Sequence, residues 1–239
     1  MYKSYFKNRG VEHELYDNWK MPKWLEVTLG GDKNISILDV GCGLGQFMRG
    51  CIYMGYSNIS GVDLSEEAVE YCKHSGLNVD KVNVMEYSDK KFDFINMSHV
   101  LEHLPKADII STLKNIHDNL LNKDGKLCIQ VPNAQSNTDC YWAYEDFTHN
   151  TLFTAGSLLF VLREAGFEDI EFLDIEGLDN TTGWKKFIKR IFLKMYSMNK
   201  NFWNKVTGSS YHKASPIIFT WELKCVAYKS VVTNSKNND

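Results

Sequence analysis

The chain has 239 residues, 44% of them hydrophobic and 24% charged, with a net charge of −3. That suffices to bury one large core, a size single α/β domains often reach. No apolar run approaches the ~18 residues of a membrane span, M-Y-K-S-Y-F-K-N-R-G lacks the apolar core of a signal peptide, and six cysteines without a C-x-x-C fit reduced thiols in a cytoplasmic protein.

In chain order, residues 11–29 have the spacing of a helix broken near Pro22, so residues 1–30 are expected as an N-terminal helical cap. I-S-I-L-D-V then has the length of a buried strand, and the glycines after it lead into the helical spacing of Q-F-M-R-G-C-I-Y-M. N-I-S-G-V-D predicts a second strand and L-S-E-E-A-V-E-Y-C-K a helix capped by Ser65. L-N-V-D-K-V-N-V gives a weaker third strand. F-D-F-I-N-M gives a fourth, followed by a helix over A-D-I-I-S-T-L-K-N-I-H-D-N-L-L. G-K-L-C-I-Q-V-P is a fifth strand. F-T-A-G-S-L-L-F-V-L-R-E-A-G-F is a helix leading to strand E-D-I-E-F-L-D-I. The long, partly alternating I-I-F-T-W-E-L-K-C-V-A-Y-K comes last. Residues 31–230 therefore predict one α/β domain: a Rossmann-like, seven-stranded, mostly parallel sheet with helices on both faces and an antiparallel last strand. Its ligands would sit beyond the C-terminal strand ends, where the strand order reverses. The polar residues 231–239 are expected to be frayed.

The strongest local signal is I-L-D-V-G-C-G-L-G-Q-F. Gly41, Gly43 and Gly45 stand between strand and helix, where a backbone must turn tightly and approach a ligand. Position 46 is Gln46, where a dinucleotide fingerprint wants its last glycine, which weighs against a nicotinamide oxidoreductase. Asp39 can accept from an ammonium group or brace the loop, and Asp63 ends the second strand, where a carboxylate can hold both ribose hydroxyls. These residues resemble the first two motifs of class I S-adenosylmethionine-dependent methyltransferases. The resemblance implies S-adenosylmethionine as cofactor and S-adenosylhomocysteine as product. It assigns to their binding Asp39, Gly41, Cys42, Gly43, Gly45, Gln46, Phe47, Asp63, Leu64, Ser98 and His99, with Asn83, Val84 and Met85 at the adenine, where the family more often has Asp in place of Asn83. Methyl transfer needs alignment and a base, not a nucleophilic Ser or Cys.

S-H-V-L-E-H-L, from Ser98, carries the H-x-x-E-H order of one metallopeptidase class. A zinc site needs both imidazoles on a stable helix, a third protein ligand and an open position. Here the pattern starts at a strand end, Pro105 follows at once, and no downstream residue has an obvious ligand spacing, so no metal is expected. Similar turns follow the fourth strand in many members of the methyltransferase class, beside the reactive methyl. His99 or His103 is then a general base, or one packs on the cofactor and the other caps the next helix.

E-D-F-T-H-N-T-L-F-T-A-G-S-L-L-F-V-L-R-E-A-G-F, with V-P-N-A before it, resembles a subgroup of these enzymes common in bacterial surface-glycan gene clusters. That implies O-methylation of a hydroxyl, or of an acidic or phosphoryl-type substituent, on a nucleotide-linked or lipid-linked sugar in capsule or lipopolysaccharide synthesis. Tyr141, Trp142 and Tyr144 offer flat surfaces for such rings. Asp146 and His149 are spaced to form a carboxylate–imidazole base, or Asp146 and Thr148 form a cap with His149 filling a crevice. The alternatives are a small non-sugar acceptor, such as a quinone or lipid precursor or another small anion, and a non-catalytic cofactor-binding subunit.

Residues 180–216 hold seven Lys and one Arg and no acid, a charge of +8 that leaves −11 on the rest. A localised anionic contact fits this better than nucleic acid. Within the insert (180–214), Trp184, Phe187, Ile188, Ile191, Met195, Met198 and Phe202 share one helical stripe opposite Lys185, Lys186, Lys189, Arg190 and Lys200. The 184–205 helix is expected as a lid or homodimer helix packed on the body, as a source of cations for a phosphate-bearing acceptor, or as a peripheral contact with the inner face of an anionic membrane.

Overall fold

In the computed structural model, which describes Asn8, Gly10 and residues 19–87 and 90–229, each expected strand forms. They are β1 (Ile37–Val40), β2 (Ile59–Asp63), β3 (Val79–Lys81), β4 (Phe92–Ser98), β5 (Leu121–Pro132), β6 (Asp169–Phe172) and β7 (Glu222–Tyr228). They make one sheet in the order β3-β2-β1-β4-β5-β7-β6. Neighbours from β3 to β5 run parallel, and β7 lies antiparallel to both β5 and β6. β1 and β4 are adjacent, and from them the chain winds outward in opposite directions. A crevice therefore opens beyond their C-terminal ends.

The helices are α1 (Lys23–Leu29), α2 (Gln46–Tyr53), α3 (Glu66–His74), α4 (Ile109–Asn115), α5 (Tyr141–Glu145), α6 (Ala155–Glu164) and α7 (Gly183–Thr207). Ser65 caps α3 as expected, accepting from the Ala68 amide, with Glu66 and Glu67 at its positive end and Lys73 and His74 at its negative end. Two apolar clusters cover the sheet. One joins Leu38, Ile95, Ile129 and Leu223 to α4 and α6; the other joins Ile37, Phe94 and Cys128 to α2 and α3. α1 belongs to the second cluster through Trp24, Leu25 and Leu29, which closes the N-terminal side of the crevice. The rest of the expected N-terminal helix (11–18) and the tail (231–239) lie outside the described residues.

Two expectations change in detail. The helix expected over 107–121 stops at Asn115 and passes through a wider turn, Ile116–Leu120, because Leu121 already pairs with Phe92. The register then jumps to Lys126 opposite Phe94, with left-handed Asp124 in the bulge between. The second change concerns α7, which docks through its polar side. Arg190 pairs with Glu176 at 2.8 Å, Lys189 donates to the Gly177 carbonyl, and the Tyr196 hydroxyl donates to Asn137. None of its side chains is buried, and Trp184, Phe187, Met195, Met198 and Phe202 are each more than half exposed. Most of the apolar stripe is exposed, with Met198 at the edge of a cavity against β7, so α7 is not a lid packed by that face as a whole.

Candidate active site

The loop after β1 is built by backbone sterics. Gly41, at φ +67°, would place a Cβ 2.3 Å from Val100 Cγ2, so a side chain there collides with the turn after β4. Gly45, left-handed at φ +78°, is the N-cap of α2. A cavity of about 590 Å³, within the range of small-molecule sites, lies over this loop at the reversal point.

Of the residues expected to bind cofactor, Asp39, Gly41, Cys42, Gly43, Gln46, Phe47, Asp63, Leu64, Asn83, Val84, Ser98 and His99 line this cavity. Gly45 does not; a Cβ there would meet Leu77 and Cys72, so its place is helix packing. Met85 does not either. It is 42% exposed, and its amide donates to Asn83 Oδ1 in a turn that shapes the loop. Asp63 accepts from the Gly43 and Ser65 amides at 2.9 and 2.7 Å, fixing its carboxylate at the rim. Asp39 is buried and accepts from Asn96 Nδ2 at 2.8 Å. Burial, reinforced by Asp63 and only partly offset by Asn96, pushes it up to about 7. Gln46 Oε1 and Asn96 Oδ1 are buried without hydrogen-bond partners. Such orphaned acceptors beside a glycine cradle fit a polar nucleoside ligand that donates hydrogen bonds.

At the other end of the cavity stand the residues expected to take part in catalysis. His99 sits at φ +54°, a conformation non-glycine residues adopt at a cost and often at functional sites. Its Nδ1 meets Glu102 Oε1 at 3.2 Å, its Nε2 meets Glu222 Oε2 at 3.4 Å, and its ring stacks on Trp221. Burial opposes its charge, yet the two carboxylates prevail and raise it to about 9. Both ring nitrogens thus face carboxylates that favour the charged form, an arrangement that suits a general base poorly. The expected Asp146–His149 carboxylate–imidazole pair forms, with His149 Nε2 3.8 Å from Asp146 Oδ2. Asp146 Oδ1 accepts from the Thr148 amide and hydroxyl, at 3.0 and 2.6 Å, holding a turn. The cap of α6 is Thr154.

His103 lines the cavity, and burial lowers its pKa, so it is neutral. The loop after α5 brings His149 against it, with ring centroids 4.6 Å apart. Three hydrogen bonds tie that loop to the turn after β4: the Asn150 and Thr151 amides to the Glu102 carbonyl, and Asn150 Nδ2 to the His103 carbonyl. Of the aromatic trio, Tyr141 and Tyr144 are exposed, while Trp142 packs on Trp221. Sequence reasoning missed Glu102 as a site residue, fully buried between two histidines, and missed Gln130, Trp221 and Glu222 of the cavity wall. A second cavity of about 1090 Å³, between α7 and β7, shares Gln130, Trp221 and Glu222 with the first and is lined by Lys189, Arg190 and Lys194.

A glycine-cradled nucleoside pocket at the switch point of a mostly parallel sheet, closed by an antiparallel last strand, defines the class I methyltransferase architecture. The comparisons agree. The model of the methyltransferase domain family matches residues 13–171, and the chain belongs to that family. A ribosomal protein L11 methyltransferase of Lactobacillus gasseri is 34% identical over 102 residues, which cover 40% of this chain and 30% of that protein. Among solved structures, a SAM-dependent methyltransferase from Archaeoglobus fulgidus superposes with a TM-score of 0.63 at 22% identity, covering 93% of this chain and 97% of that one. The 1,6-didemethyltoxoflavin-N1-methyltransferase of Burkholderia thailandensis, solved with its substrate and S-adenosylhomocysteine, reaches 0.56 at 18% identity, over 95% and 84% of the two chains.

Proposed function

We propose that the protein is an S-adenosylmethionine-dependent O-methyltransferase acting on a sugar hydroxyl, or on an acidic substituent of a sugar, carried by a nucleotide or a lipid. The observation carrying the cofactor is the set of Gly41, Asp63, Gln46 and Asn96 around one cavity with two orphaned acceptors. Asp63 holds the ribose hydroxyls and Asp39, once ionised, attracts the ammonium of the methionine end. When bound, S-adenosylmethionine supplies an electrophilic methyl: an O–C bond forms as the C–S bond breaks, its electron pair stays on sulfur, and the acceptor proton passes to the protein or to water. Alignment of the acceptor oxygen accounts for about 7–11 kcal/mol of the barrier. His99, with both ring nitrogens held by Glu102 and Glu222, forms part of the wall the acceptor meets. Proton removal belongs to the cluster of Glu102, His103, Asp146 and His149 on the far wall. The second cavity gives a bulky acceptor room beside Lys194.

The sugar assignment is supported by the Trp142–Trp221 platform next to the cavity and by the likeness of the residue 145–167 segment to glycan-cluster enzymes. We infer too that α7 rests on the inner face of an anionic membrane, where lipid-linked sugars are met. Its outward stripe belongs to a segment that holds eight cations and no acid. Two copies packed through α7 would bring +7 against +7, while an anionic bilayer matches both faces. No described helix is long and apolar enough to cross a membrane.

Calorimetry with S-adenosylmethionine and S-adenosylhomocysteine tests the cofactor, and absence of heat with both on folded protein removes the proposal. Methyl transfer to a panel of nucleotide sugars, set against quinone and lipid precursors, separates the acceptor classes. Donor binding without transfer to any acceptor, together with a stable hetero-complex, favours the non-catalytic subunit.

A further inference from the structure

We propose that Glu102, His103 and His149 form a binding site for one divalent transition-metal cation at the acceptor end of the cavity. The H-x-x-E-H order suggested a metal through His99, and that part fails, because both nitrogens of His99 are engaged by Glu102 and Glu222. The missing ligand comes from the loop after α5. One potential ligand atom from each of Glu102, His103 and His149 lies within 4.8 Å of the others. A cation with bonds of about 2.1 Å holds its ligands roughly 3.0–3.5 Å apart, so a contraction of little more than an ångström completes the set.

The hydrogen bonds around the cluster fix its chemistry. His149 Nδ1 lies 2.5 Å from the Trp142 carbonyl, and His103 Nδ1 lies 3.3 Å from the Thr148 carbonyl. A carbonyl only accepts, so both imidazoles carry their proton on Nδ1 and present Nε2 as the lone-pair atom. The Thr148 hydroxyl donates to Asp146, so it too accepts from His103 Nδ1, at 2.8 Å. An imidazole pinned at Nδ1 by a backbone carbonyl is how proteins orient a metal-ligating histidine. Two such rings meet here within 4.6 Å.

Glu102 supplies the independent sign. It is 0% exposed, and its Oε2 has no hydrogen-bond partner. His99 already faces its Oε1 at 3.2 Å, so Oε2 is the oxygen left over, and a buried carboxylate oxygen without a partner is costly. Two nitrogens and a carboxylate, with Asp146 Oδ2 at 3.8 Å from His149 Nε2, suit a Zn²⁺- or Co²⁺-like ion with positions left open. The role rests on the methyltransferase reading: His103 lines the cavity, so the ion would take an acceptor oxygen there and lower its pKa, the proton then leaving to water because both imidazoles are ligands. Occupancy itself does not depend on that reading.

The test titrates metal-stripped full-length protein with Co²⁺ alone, following visible d–d absorption, and measures S-adenosylhomocysteine binding separately by calorimetry. One Co²⁺ per chain with nitrogen–oxygen ligation is expected, weakened more than about 100-fold by His149→Ala and by Glu102→Gln while S-adenosylhomocysteine still binds. If a variant no longer binds the nucleoside, His149→Cys decides, because a cysteine ligand adds a thiolate charge-transfer band to bound Co²⁺. Protein that binds S-adenosylhomocysteine yet takes up no Co²⁺, Zn²⁺ or Mn²⁺ overturns the site. So does Co²⁺ binding unchanged in both variants, or a His149→Cys protein without the thiolate band. Stoichiometric Co²⁺ without nucleoside binding keeps the metal site and sinks the methyltransferase reading instead.

Discussion

Asp39→Asn should stabilise the cofactor-free protein above neutral pH while weakening cofactor binding. Asp39 is 3% exposed, and its carboxyl, raised chiefly by burial, ionises only at about 7. The unfolded chain titrates near ~3.9. A shift of about three units corresponds to roughly 4 kcal/mol, the cost of keeping this carboxylate ionised in the fold. The folded state holds the proton more tightly. The stability Asp39 contributes is therefore complete below about pH 4, falls by about 1.4 kcal/mol per unit as pH rises, and is gone above about pH 7. Asparagine is neutral throughout, and its Oδ1 can still accept from Asn96 Nδ2.

Urea unfolding of both proteins from about pH 5 to about pH 8 reads this directly. The variant should gain on the wild type by a margin that widens with pH and levels off at a few kcal/mol. Wild-type affinity for S-adenosylhomocysteine should fall as pH drops through 7, because the partner of the ammonium group is being protonated, and the variant should bind weakly with that dependence lost. A stability difference independent of pH, or a variant less stable than wild type at about pH 8, refutes the argument.

Gly41→Ala forces a Cβ to within 2.3 Å of Val100 Cγ2 at φ +67°. It should cost about 2–4 kcal/mol in urea unfolding, with the steric part recovered in Gly41→Ala/Val100→Ala; a cost that Val100→Ala does not relieve contradicts the contact. Asp63→Asn keeps the shape of a carboxylate that accepts from the Gly43 and Ser65 amides. Calorimetry should show S-adenosylhomocysteine bound about 10–100-fold more weakly, and unchanged affinity moves the ribose elsewhere. Trp184→Ser with Phe187→Ser alters side chains 70% and 67% exposed, so stability should change by no more than about 1 kcal/mol in total. Co-sedimentation with phosphatidylglycerol vesicles should be lost, and high salt should release the wild type. Wild-type protein that ignores such vesicles at low salt and instead dimerises through α7 refutes the membrane contact.

The parts legible in the sequence are those whose physics is local. Strand length, glycine turns and the Ser65 cap each depend on a few neighbours. What was not legible depends on contacts distant in sequence. His99 looks like an available base until β7 brings Glu222 to its Nε2. Asp146 and His149 have the spacing of a carboxylate–imidazole pair and stand 3.8 Å apart, but that Thr148 also holds Asp146, at 2.6 Å, is seen only in the fold. α7 shows the same limit from the other side. Its two faces were correctly separated by helical period, but which face meets the body was decided by Glu176, the Gly177 carbonyl and Asn137, none of them on the helix. Glu102 stood out in the sequence only as the acid of the H-x-x-E-H order, and its burial was not legible there. It becomes buried because Asn150 and Thr151 fold back onto its own carbonyl, and that same fold-back sets His149 beside His103. The burial of the carboxylate and the convergence of the two imidazoles thus have a single cause. Breaking the Asn150 links should expose Glu102 and separate the rings together.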